Sequence, residues 1–252
     1  MKKTITPKEL REFSERKFGF EGQWLDFCGN PACKGVWIIW GRSFSGKTSF
    51  ALRLAKYLAD LGNKVAYLSL EQGVSSSMQD AFARECIDNV NLWHSMDIKE
   101  LKEELAKQRS PKVIVVDSLQ YLCINYAGYK DLKKLCKNKL LIFVSHANEQ
   151  MEPKGSTAVN IRYDADVKII VEGFVASAES RFGGGMPITI WEKGRERNTA
   201  KKLEEFNDKK EQYYDRNDDN SEEIAEGYME KESDSSDWKI PGDDDGRKVL
   251  EW

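Results

Sequence analysis

Histidine is almost absent from this chain, with two in 252 residues, His94 and His146. Cysteine is sparse and odd in number: Cys28, Cys33, Cys86, Cys123 and Cys136. An odd, scattered set excludes a disulfide framework and fits reduced thiols in a cytoplasm. Cys28 and Cys33 form a C-x4-C pair, but no second pair follows and both histidines lie far off in the sequence. Small apolar side chains lining a turn are therefore a better reading than a zinc site. Long apolar runs are missing too: none approaches the roughly 18 residues that span a bilayer. The opening MKKTITPKELREFSERK has no apolar segment behind its first lysines, which argues against a signal peptide. A soluble, cytoplasmic protein with no membrane partner is expected. No N-K-x-D segment of the kind that reads guanine stands near the expected strand end.

The chain's 39 basic and 42 acidic residues give a formal charge of −3 that hides an asymmetry. Residues 215–252 hold fourteen acids against five bases, a net of −9, which leaves residues 1–214 at +6. A stretch so rich in Asp, Glu, Ser, Asn and Gly, with few aliphatics, cannot bury enough surface to offset its ordering entropy and reads as a disordered acidic tail. Its last residues, DDDGRKVLEW, end on an apolar group suited to a protein partner or to competition with nucleic acid; a solubilising role serves equally. The mildly basic body suits a nucleic-acid binder, as it does many unrelated enzymes.

Along the chain, β-rich apolar runs alternate with stretches of helical spacing, the pattern of a parallel sheet covered on both faces. Strands are expected at Val36–Trp40, Lys64–Leu70, Val113–Asp117, Leu140–Ser145, Val167–Val171 and Ile188–Trp191. Helices are expected at Pro7–Phe18, Lys47–Leu61, Ser77–Asn89 and Ile98–Gln108. From Val167 onward no helix intervenes, which predicts antiparallel pairing at one edge. Trp37 and Trp40, two of seven tryptophans, fall within a central strand and are expected in the core; Trp24, Trp93 and Trp191 are further candidates for packing or for stacking on a base. The expected organisation is an N-terminal helical extension (1–20), an α/β domain (21–214) and the acidic tail (215–252).

The strongest signal is Gly41-Arg42-Ser43-Phe44-Ser45-Gly46-Lys47-Thr48, a complete G-x-x-x-x-G-K-[ST] between the strand VWIIW and an amphipathic helix. Glycines let such a loop turn tightly, so that backbone N–H groups and the helix N-terminus face phosphates. Residues Gly41 through Ser49 are the expected nucleotide contacts, with Lys47 on the β and γ oxygens and Thr48 on Mg2+. Val113-Ile114-Val115-Val116-Asp117 ends a buried strand on a carboxylate, which would hold magnesium beside that loop. Leu68-Ser69-Leu70-Glu71 ends the strand after the loop's helix, where Glu71 would polarise the water attacking the γ-phosphate; Gln72 is a weaker candidate for that role.

These pieces, in this order, resemble the RecA/DnaB/RadA group of P-loop ATPases, whose magnesium acid lies in a run like Val115-Val116-Asp117-Ser118-Leu119-Gln120. The resemblance continues at Phe143-Val144-Ser145-His146, where the group carries a γ-phosphate sensor that is often Gln; His146 takes that place and can still donate a hydrogen bond. Gly155-Ser156-Thr157 and Tyr163-Asp164-Ala165-Asp166-Val167 look like the glycine-serine loop and strand entry of the group's replicative helicases. The loop between His146 and Tyr163, which holds Lys154 and Arg162, occupies the place of their DNA contact. Glu192-Lys193-Gly194-Arg195-Glu196-Arg197-Asn198 is similar to the segment that sends a lysine and an arginine into a neighbour's ATP site. The resemblance covers roughly residues 20 to 200, without a primase-binding, zinc-ribbon or protease domain, and is nearest to stand-alone forms from bacteriophages and mobile elements.

What the resemblance implies is a RecA-like fold and an ATPase that uses ATP and Mg2+, acts on single- or double-stranded DNA in recombination or replication, and assembles as a homo-oligomeric ring or filament. Catalytic roles would fall to Lys47, Glu71, His146 and, from the neighbour, Lys193 and Arg195. Thr48 and Asp117 would hold the metal. The alternative is a nucleotide-gated adaptor or regulatory ATPase that binds protein partners. A small-molecule kinase is disfavoured, because no arginine-rich lid segment is present for a phosphoryl acceptor.

Overall fold

The computed structural model describes residues 4–204 and residue 207, so the expected acidic tail and its DDDGRKVLEW end lie outside the described residues. Two compact units divide between Thr199 and Ala200. The first contains everything that follows; of the second, residues 200–204 are helical.

Thr6 opens α1 (Pro7–Glu12) with a reciprocal capping box to Glu9. The helix stops six residues short of Phe18, because Phe13 turns extended and the chain then bridges Lys17 to Ala32, bringing Phe18 and Phe20 into the core. After α2 (Gly22–Cys28) come β1 (Gly35–Gly41), α3 (Lys47–Asp60), β2 (Val65–Ser69), α4 (Ser76–Arg84), β3 (Val90–His94), α5 (Ile98–Ala106) and β4 (Val113–Asp117). A short 3-10 turn (Leu119–Leu122) leads to α6 (Tyr126–Leu135), β5 (Leu140–His146), α7 (Ser156–Asp164), β6 (Val167–Glu172), β7 (Val175–Ser180) and β8 (Ile188–Thr189). Residues 192–199 are again helical.

The eight strands form one sheet in the order β3-β2-β4-β5-β1-β6-β7-β8. The first six are parallel; β7 pairs antiparallel to β6 (Val167 opposite Ser180) and β8 antiparallel to β7. The antiparallel edge thus begins one strand later than the sequence implies, since β6 itself lies parallel to β1. Strand β5 separates β1 from β4, so the ends of all three meet at one edge of the sheet.

Alternate residues of β1 face opposite cores, as a period of two requires. Trp37 and Ile39 join Trp24, Phe27, Phe50, Leu54 and Leu58 of α2 and α3, while Val36, Ile38 and Trp40 pack with α5, α6 and α7. Trp24 stacks on Tyr57 at 5.1 Å between centroids, and Phe27 meets Phe50 at 5.4 Å. These contacts fasten α2 to α3, the helix that follows the glycine-rich loop. Cys28 lies buried in this layer, and burial pushes its thiol up to about 12. Among the described residues no helix is long and apolar enough to cross a membrane.

Candidate nucleotide site

Strand β1 ends at Gly41, where a side chain is impossible: a Cβ there would lie 2.1 Å from the Val171 carbonyl oxygen of β6. The chain then reverses through residues 42–46 and enters α3 from Gly46 at φ +99°, a left-handed conformation that favours glycine. A Cβ on Gly46 would also press on Phe174 and Ile190 at 3.2 and 3.3 Å. Strand, loop and helix therefore approach so closely that both glycines are steric requirements. The first N–H groups of α3 have no intrahelical acceptor and stand at the positive end of the helix dipole. An anion is what such a cradle accepts.

Lys47 is only 8% exposed, and its Nζ donates to the Arg42 carbonyl at 2.6 Å. Burial holds its ammonium below the ordinary lysine value, opposed by the charges of Asp117 and Glu71. Asp117, at the end of β4 and 5% exposed, accepts hydrogen bonds from Tyr67 Oη (2.5 Å) and Thr48 Oγ1 (3.1 Å) through the same Oδ2. Burial raises its carboxyl against the pull of those two donors. The Thr48 hydroxyl and the Asp117 carboxylate thus form a pair of hard oxygen donors beside the anion cradle, the chemistry that suits magnesium. That donor set fits the ion.

Glu71 follows β2, with the Leu70 N–H on the Asp117 carbonyl at 2.7 Å. His146 closes β5 directly beside Gly41, and its Nε2 lies 3.2 Å from Glu71 Oε2. Gln120 braces this corner: its Nε2 donates to Ser145 Oγ (2.8 Å) and the Lys154 carbonyl (3.0 Å), while its Oε1 accepts from the His146 N–H (3.3 Å). One pocket of about 760 Å3 takes in Ser43, Phe44, Gly46, Lys47, Thr48, Ser49, Glu71, Asp117 and His146. Gly41, Arg42 and Ser45 shape the loop without lining that pocket: Arg42 Nη2 turns away to the Glu149 carbonyl (3.2 Å), and the Ser45 carbonyl accepts from the Phe174 N–H (3.2 Å).

No protein-family model matches the chain. A stretch of 95 residues, 37% of this chain, is 23% identical to the DNA repair protein RadA of Chlamydia muridarum (strain MoPn / Nigg) and spans only 21% of that protein's length. Among solved structures, a DnaB-like ATPase domain is similar at 17% identity and a TM-score of 0.45, covering 62% of this chain and 80% of that one. The flagellar accessory protein FlaH from Methanocaldococcus jannaschii is similar at 16% identity and a TM-score of 0.42, covering 61% and 84%. This is a RecA-like P-loop ATPase fold.

On that RecA-like framework, the remaining expected residues fall in three places. Lys193 and Arg195 lie outside the walls of the P-loop pocket; Arg195 pairs with Glu192 (3.5 Å) and donates to Thr189 Oγ1 (3.3 Å). The segment from His146 to Tyr163 is not simply a loop, because Gly155 at φ +96° starts α7 and carries Ser156 and Thr157 into its first turn. Within it Arg162 is bound to Glu152 and lies over the Trp40 ring, whereas Lys154 keeps an exposed side chain. Gln72 lines the pocket and accepts from Ser77 Oγ at 3.1 Å.

Four contributors to the pocket have no sequence signature. Tyr67 reaches Asp117 from the neighbouring strand. Phe174, Ile190 and Trp191 form an apolar wall at the turn between β6 and β7 and after β8, with Trp191 edge-on to Phe174 at 5.0 Å and itself 46% exposed. Opposite stands α4, whose Arg84 Nη2 donates to Ser49 Oγ (3.2 Å). Only the apolar character of Ile188–Trp191 hinted at that wall.

Proposed function

We propose that this chain is a magnesium-dependent ATPase that acts on DNA in recombination or replication, as a ring or filament whose active sites are shared between subunits. The observation that carries the proposal is the convergence of Lys47, Thr48, Asp117, Glu71 and His146 on one pocket at the strand ends. An incoming polyphosphate seats on the N–H groups of residues 46–49, and the Lys47 ammonium leaves the Arg42 carbonyl for a phosphate oxygen. Magnesium, held by Thr48 and Asp117, supplies neutralisation of phosphate charge. Glu71 orients and polarises the attacking water, and His146 passes from the Glu71 carboxylate to the γ-phosphate as it arrives. Phe174 and Trp191 offer a flat apolar wall to adenine.

Lys193 and Arg195, placed away from their own P-loop, are free to complete a neighbour's site, where a cation stabilises transition-state charge. The DNA part rests on the stretch similar to a protein named for DNA repair and on the +6 charge of residues 1–214. Subunit mixing tests the sharing. Lys47→Ala and Arg195→Ala are each expected to be inactive alone and to regain hydrolysis when mixed, since one subunit then supplies the loop and the other the arginine. A mixture as inactive as its parts contradicts shared sites.

A further inference from the structure

A second charged site lies at the opposite end of the sheet. Four parallel strands that are neighbours in space, β2, β4, β5 and β1, are each preceded by a lysine: Lys64, Lys112, Lys139 and Lys34. Backbone hydrogen bonds join them in sequence, from the Lys112 N–H to the Lys64 carbonyl (2.9 Å), Leu140 N–H to Lys112 (2.9 Å) and Gly35 N–H to Lys139 (3.0 Å). At a strand spacing of about 4.8 Å, the four make a row about 14 Å long. The row opens onto a groove of about 540 Å3 that Lys130, Lys133, Lys134 and Lys137 line together with Tyr126. Gly35 and Leu141 floor that groove at the strand starts, whereas the P-loop follows Gly41 at the other end of β1, about 20 Å away along a seven-residue strand.

Little neutralises this edge. Glu15 pairs with Lys34 (2.7 Å) and Asp164 with Lys133 (2.6 Å). Lys64 and Lys139 donate to the neutral Arg109 and Pro111 carbonyls, which leaves their charge in place. Lys112, Lys134 and Lys137 are exposed and have no acidic partner among the described residues. Burial first, and then the charges of Lys112 and Lys64, hold the Lys139 ammonium below its ordinary value despite the opposing effect of Cys136. Like charges gathered without counter-charges cost folding free energy, so the edge is suited to an anionic partner.

We propose that this lysine edge binds the phosphate backbone of nucleic acid, as a contact separate from the ATP pocket. The exposed Tyr126 ring, with Lys130 5.1 Å above it, gives the groove a face on which a base can stack. The inference rests on the reading that the protein acts on DNA, and adds where that DNA is held.

Fluorescence anisotropy of a labelled 30-mer single strand, titrated with the full chain across a salt series, tests it. Three proteins decide it: wild type, the triple Lys112→Ala/Lys134→Ala/Lys137→Ala, and a triple at Lys8, Lys56 and Lys99 that removes equal charge elsewhere. Each phosphate neutralised on a single strand contributes about −0.7 to the slope of log K against log salt. Loss of the three edge lysines is expected to flatten that slope by about 2 and to weaken binding at least about tenfold at low salt. The control triple should bind like wild type, and basal ATP hydrolysis should be unchanged in both, which shows that they fold. Wild-type affinity in the edge triple, or equal loss in the control, overturns the lysine edge alone. No binding by wild type at low salt overturns the DNA reading as well.

Discussion

His146 Nε2 stands 3.2 Å from Glu71 Oε2, so the two groups placed to handle water and γ-phosphate hold each other in the absence of nucleotide. Turnover then requires the pair to separate. Glu71→Gln keeps a hydrogen bond but cannot take a proton, and is expected to lower hydrolysis about 10²–10⁴-fold while leaving nucleotide affinity near that of wild type. His146→Gln, which can still donate, should retain more activity than His146→Ala. Single-turnover hydrolysis beside equilibrium binding of a fluorescent ATP analogue separates the two effects. Equal activity in the two His146 variants would mean that the donor is dispensable.

Tyr67 gives Asp117 its shorter hydrogen bond, inside a strand pair that excludes water. Tyr67→Phe leaves a buried carboxylate with one donor fewer, at a cost of about 1.5–3 kcal/mol for a hydrogen bond to a charged group. Urea unfolding should register that loss, and the magnesium concentration for half-maximal hydrolysis should change. An unaltered urea midpoint would place the hydroxyl outside the stabilising contacts.

The Trp24 indole fastens α2 to the P-loop helix through Tyr57 and Phe50. Trp24→Ala is expected to destabilise the fold by about 3–5 kcal/mol, with nucleotide binding falling in parallel as the folded fraction drops. Calorimetry with and without ATP would show this; an unshifted melting temperature would contradict it.

The cysteines differ sharply in environment. Cys86 and Cys123 are exposed, whereas Cys28 and Cys136 are buried, with burial pushing their thiols up to about 12 and about 11. At pH 8 a maleimide should label the first two quickly and the buried two only after unfolding, read by mass spectrometry. The sign of the linkage follows from pKa values raised in the folded state. Burial of neutral Cys28 stabilises fully below pH 9.0, and that contribution is lost as pH rises toward about 12. Cys28→Ala removes the titrating group, so its stability should fall less steeply than that of wild type above pH 9.0. Parallel decline of the two in alkaline urea titrations would contradict the linkage.

The glycine-rich loop, its flanking strand and helix, and the acid at Asp117 are legible because each couples a fixed spacing to a long apolar run. Lys47, Thr48, Glu71, Asp117 and His146 meet in the pocket for that reason. Elements with little apolar contrast are not legible. Strand β3 is an edge strand, half-buried along VNLWH, and the helix expected to run up to it at Asn89 stops at Arg84. Strand β7, VASAES, is built of small residues, and α6 carries lysines that dilute its buried face of Tyr129 and Leu132. Tyr67, Phe174 and Trp191 reach the pocket through strand pairing and a turn, relations that no local pattern records.

The most direct measurement is steady-state ATP hydrolysis by the full chain with and without single-stranded DNA at low salt, beside Lys47→Ala and Arg195→Ala. The account predicts strong stimulation by DNA, lost in both variants, with Arg195→Ala still binding ATP. Hydrolysis that ignores DNA would contradict it and favour a nucleotide-gated adaptor working through protein partners.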